Sequence, residues 1–129
     1  MVNEYPRGHV IRIMALNLLV FLIGFMTLIT PFLHGDYPGS LQTTDHVTLG
    51  ALICILAIFR ATLAYGSMWI DVCLFVLGFI TFMMPTITSM HWDGHYTSTH
   101  MMHGGIIMVV AVISAILTVP HLPSRRHRN

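Results

Sequence analysis

Phe21-Leu22-Ile23-Gly24-Phe25-Met26-Thr27-Leu28-Ile29-Thr30-Pro31 returns ~54 positions later as Phe75-Val76-Leu77-Gly78-Phe79-Ile80-Thr81-Phe82-Met83-Met84-Pro85. The register holds downstream without a gap. Thr43, His46, Gly50, Ile53, Ala57, Ala61 and Leu63 fall on Thr97, His100, Gly104, Ile107, Ala111, Ala115 and Leu117, and Asn17 falls on Asp71. About a dozen identities accumulate where chance would give about three. The chain is an internal duplication, with units of about 15–65 and 69–119.

The 129 residues are 55% hydrophobic and 9% charged, with a mean hydropathy of +0.75. A soluble domain of this size cannot hide so much apolar surface, so lipid is the solvent. Lysine is absent, the formal net charge is +1, and no basic-aromatic stripe is present, which argues against nucleic acid as a partner. Four apolar segments, about 10–30, 46–65, 68–84 and 100–119, each approach the ~20 residues that a helix needs to cross a bilayer. They are apolar all round, without the alternation of membrane strands. The expected fold is all-α: a single four-helix membrane domain over residues 1–129, built from two parallel two-helix repeats. The first segment is the repeat partner of the third, so it reads as a retained helix and not as a cleaved signal. Two loops, about 31–45 and 85–99, join the helices within the repeats, and the short Tyr65-Gly66-Ser67 joins the halves.

Arginine sets the expected orientation. Arg7 and Arg12 precede the first segment, Arg60 lies near the short turn, and Arg125, Arg126 and Arg128 lie in the basic tail, 120–129. The long loops have no Arg or Lys, which predicts cytoplasmic termini and outward loops in a prokaryotic inner membrane. Small residues at Gly50, Ala57 and Ala61, repeated at Gly104, Ala111 and Ala115, predict close helix contact. Thr27 and Thr81, near Gly24 and Gly78, are expected to bond back to their own helices.

Asn/Asp near the start of an apolar helix, Gly in its middle and Pro at its outer end form a pattern that resembles the SPW repeat family of small bacterial and archaeal membrane proteins. The resemblance runs from about Leu16 to Thr118, with the Ser-Pro-Trp signature degraded to Thr30-Pro31-Phe32 and Met84-Pro85-Thr86. It implies two helices per repeat and no reaction. It also implies that Pro31 and Pro85 are structural, ending or bending a helix at the outer interface.

Six of nine histidines belong to the loop side: His34, His46, His91, His95, His100 and His103. Three readings compete. The rings can sit at the headgroup level and cap helices. They can bind copper or zinc through His46, His91, His95, His100 and His103, with Asp93 and one methionine nearby. Or His46, His100 or His103 can ligate haem or a chlorophyll-type pigment. His46 and His100 are repeat partners, so a pseudo-twofold axis can bring them together at the bundle centre. Asp71 and Arg60 are the ionisable residues at the edge of the apolar runs; a structural pair is expected, Arg60 snorkelling and Asp71 meeting Arg60 or Arg12. Cys54 and Cys73 lie at different depths and read as free thiols. No nucleophile-base order or phosphate loop appears, so a catalytic role is not expected. By elimination the chain reads as an accessory or assembly subunit of a larger membrane complex, of electron-transfer, oxygenase or photosynthetic type. The alternative class is a metal- or pigment-binding membrane protein.

Overall fold

A computed structural model describes residues 7–35, 39–63, 68–87 and 94–118, with backbone alone at 41, 42 and 94–96. The described residues form four helices, α1 Arg7–Leu33, α2 Leu41–Thr62, α3 Met68–Ile87 and α4 Gly94–Thr118, and no strand. All four are long and apolar enough to cross a membrane. Only a third or so of each span is buried inside the bundle. The rest is apolar side chain presented outward, and this is an integral membrane protein.

Helix ends depart from the limits of the apolar runs. Helix α1 continues through Pro31 and stops at Gly35, whose φ of 72° is left-handed and closes the helix as glycine can. Proline removes one ladder bond without stopping a helix already held by its neighbours, and Thr30 Oγ1 donates 2.6 Å back to the Met26 carbonyl beside it. Helix α3 likewise contains Pro85. Helix α2 begins at Leu41, not near His46, because Ser40 caps it: its Oγ accepts from the Thr43 amide at 3.1 Å. The polar first turn of α2 therefore lies within what reads from hydropathy as loop. The turn at 64–67 lies outside the described residues.

Helix α1 packs chiefly on α2 and α3 on α4, while smaller seams join α1 to α4 and α2 to α3. The two main interfaces are copies of each other. A Cβ added at Gly50 would stand 2.6 Å from the Leu28 amide nitrogen and 2.7 Å from the Gly24 carbonyl. One added at Gly104 would stand 2.5 Å from both the Phe82 nitrogen and the Gly78 carbonyl, the corresponding atoms of the other half. Backbones meet directly at these points, which in lipid supplies the packing that hydrophobic drive does not. The centre is filled by Val20, Ile23, Ile53, Ala57, Ile70, Leu74, Ile107, Val110 and Ala111. This apolar layer separates two polar clusters, one toward each end of the bundle.

Candidate functional site

The first cluster lies at the end where α2 and α4 begin. His46 and His100 come one from each repeat, 54 residues apart, and meet Nε2 to Nε2 at 2.6 Å. Their rings are edge-on, with centroids 4.2 Å apart and planes 78° apart. Each residue is 1% exposed. A hydrogen bond between two ring nitrogens needs one Nε2–H and one bare Nε2, so the contact holds only while at least one ring is neutral at that atom. These two imidazoles are thus buried inside the bundle.

His103, one turn beyond His100, is half-buried and places Nδ1 2.9 Å from Thr27 Oγ1. Thr27 gives its hydroxyl proton to the Ile23 carbonyl at 2.9 Å, so it accepts from His103 Nδ1–H. The corresponding bond in the other half, Thr81 Oγ1 to the Leu77 carbonyl, is 2.8 Å. Thr27 therefore bonds back along its helix as expected and also fixes a histidine of α4. That second role has no repeat counterpart, since Leu49 occupies the position equivalent to His103. His34 is exposed and bonds the Thr30 carbonyl through Nδ1 at 2.9 Å. Of the other histidines read as ligands, His91 and the side chain of His95 lie outside the described residues. Among the described residues no three His, Cys, Asp or Glu side chains are grouped so as to hold a metal ion.

The second cluster lies at the end where α1 begins and α4 ends. Arg60 does not snorkel; it turns inward and is 0% exposed. Its Nε donates to Asp71 Oδ1 at 2.8 Å, Nη2 to Thr118 Oγ1 at 2.5 Å, and Nη1 to the Leu63 carbonyl at 3.3 Å. Thr118 passes its own proton to the Ser114 carbonyl at 2.8 Å. One guanidinium thereby ties α2 to α3 and α4, using a fork geometry that lysine lacks. Asp71 Oδ2 and Ser114 Oγ are buried without a hydrogen-bond partner among the described residues. In the repeat, Asn17 corresponds to Asp71 and Ser114 to Arg60. The α2–α3 seam thus carries an ion pair where the α1–α4 seam carries neutral groups, with Asn17 Nδ2 bonded to the Ile13 carbonyl at 2.8 Å. Sequence reading singles out Arg60 and Asp71 but not Thr118. The available signal was its position one turn after Ser114, the repeat mate of Arg60.

Gly24 and Gly78 take the helix contacts described above, and Pro31 and Pro85 are buried within α1 and α3. Cys54 and Cys73 are free, and Cys54 Sγ donates to the Phe21 carbonyl at 3.6 Å.

A bundle of four spanning helices in two parallel repeats, sealed by an apolar waist and closed by inward-facing polar clusters, defines a compact membrane module. The chain belongs to the SPW repeat family: the model of the SPW repeat domain matches residues 14–114. No curated protein and no solved structure matches it.

Proposed function

We propose that the chain is a non-catalytic accessory or assembly subunit of a larger membrane complex, of electron-transfer, oxygenase or photosynthetic type. The observation that carries this reading is the closure of its polar groups. The imidazole pair and the guanidinium-carboxylate pair are each at most 1% exposed and are engaged with one another. A catalytic or transport site needs an opening to its substrate, and polar groups of transporters sit at mid-depth. Here the middle is Val20, Ile53, Leu74 and Ile107. Such an arrangement supports a rigid module whose working surface is its outside. In this reading both termini are cytoplasmic and the loops face outward, from the arginine distribution. Single cysteines at Ser40 and Ser124 test this orientation: an impermeant thiol reagent added outside should label position 40 and spare 124. Labelling of 124 from outside overturns it. Gentle extraction from the native membrane tests the role, since stoichiometric companions should stay with the chain.

One observation favours a second reading, a metal-, haem- or pigment-binding protein. His103 Nδ1–H is held by Thr27, which leaves Nε2 with its lone pair, as a hydrogen bond to the other ring nitrogen orients a metal-binding histidine. A ligand set then draws His91 and His95 to the end where His46 and His100 lie. Elemental and absorption analysis of purified wild type against His103→Ala separates the readings. Copper, zinc or a chromophore lost in the variant supports the second; a metal-free, colourless wild type refutes it.

A further inference from the structure

The duplication leaves two corresponding grooves on the outside of the bundle, and they are not alike. The groove between α1 and α2 has a volume of about 540 Å³ and is walled by Ile11, Met14, Leu18 and Phe21, with the small Ala57 and Ala61 at the other side. The equivalent positions of the second repeat, Asp71, Val72, Phe75, Ala111 and Ala115, line a groove of about 150 Å³ between α3 and α4, beside a separate one of about 440 Å³ along Phe75, Met108 and Val112. Trp69 occupies the position that Ala15 holds in the larger groove.

A second difference concerns charge. Arg7, Ile11, Met14 and Leu18 are spaced four, three and four apart, which keeps them on one stripe of α1. Arg7 is exposed at the first residue of that helix, one turn beyond Ile11, so a cation lies on the stripe that walls the groove, at the end where α1 begins. Arg12, five residues on, lies on another side of α1. The first described residue of α3 is Met68, and no Lys or Arg occurs on that helix. An apolar trough of this size in line with an exposed guanidinium matches the two parts of a phospholipid, acyl chain along the trough and phosphate at the cation.

We propose that the α1–α2 groove binds an anionic phospholipid, with an acyl chain lying against Ile11, Leu18 and Ala57 and the phosphate held by Arg7. A zwitterionic lipid offers the same chain but a headgroup whose own ammonium competes for the phosphate, so the arginine selects for net negative charge. The equivalent groove of the second repeat, lined by Asp71 and with no arginine on α3, is the built-in comparison.

Native mass spectrometry of the full chain, released from micelles holding equal dioleoyl-phosphatidylglycerol and dioleoyl-phosphatidylcholine, reads the site directly. Wild type should retain phosphatidylglycerol about fivefold over phosphatidylcholine, the scale of one arginine at an anionic surface. Arg7→Gln, at an exposed position that the fold does not need, should bring that ratio to about one, whereas Arg12→Gln should leave it unchanged. Ala15→Trp, which puts a bulky side chain at a lining position of the groove, should lower retention of both lipids. Equal retention by wild type, an unchanged ratio in Arg7→Gln, or an equal drop in Arg12→Gln overturns the proposal. So does disulfide formation between two copies carrying Ala15→Cys, which would make the groove a contact between chains.

Discussion

Asp71 without Arg60 would be a carboxylate closed inside the bundle, and Arg60 without Asp71 an unpaired guanidinium there. Breaking a buried pair from one side typically costs about 3–5 kcal/mol, because the remaining charge keeps its desolvation penalty. Asp71→Ala and Arg60→Leu should each destabilise the protein by that order, read as the SDS fraction that unfolds it. The repeat supplies the neutral alternative. A double variant Arg60→Ser, Asp71→Asn copies the groups of the other seam and should recover most of the loss; additive losses would contradict the pairing. At His46–His100 the same asymmetry holds. His46→Leu leaves a buried imidazole short of a partner, at about 1–3 kcal/mol, while His46→Leu with His100→Leu should be closer to wild type. Scalar coupling between the two Nε2 nuclei in ¹⁵N-histidine samples would report the bond itself, and its absence would remove it. These two pairs are legible in the sequence to different degrees. His46 and His100 are found through the repeat, because a residue near a twofold axis meets its own copy. The contact of His103 with Thr27 is not, since the residues are 76 apart and their repeat mates do not both carry the groups.

Between helices, glycine decides how near the backbones come. Gly50→Ala and Gly104→Ala put a methyl within 2.7 Å of backbone atoms of the facing helix, where no side chain can swing away. Each should cost about 1–3 kcal/mol by forcing the pair apart. Gly105→Ala, whose Cβ meets only the Phe82 ring at 4.0 Å, should be tolerated. Equal effects at 104 and 105 would contradict the interface. The number and type of the helices are readable because a ~20-residue apolar run has one good solution in lipid. Their ends are less so. The first turn of α2 is polar and is started by Ser40, and α1 ends at a left-handed Gly35 beyond its proline. Capping is local hydrogen-bond chemistry that a hydropathy reading does not register.

For the molecule as a whole, duplication accounts for the architecture, and departures from it mark where the halves have specialised. Arg60 and Asp71 face Ser114 and Asn17 across the repeat, His103 faces Leu49, and Trp69 faces Ala15. The polar departures turn inward, and the waist between them is apolar, so in the proposed reading the outer surface is where partners would dock. The central claim is that it does so as a subunit. Chemical cross-linking in the native membrane, followed by mild extraction, native electrophoresis and mass spectrometry of the tagged chain, tests that claim directly. A subunit should migrate well above 14.5 kDa plus detergent, in a band of fixed stoichiometry with other membrane proteins cross-linked to the helix faces. A chain that migrates alone, with no cross-linked companion from its own membrane, would contradict it.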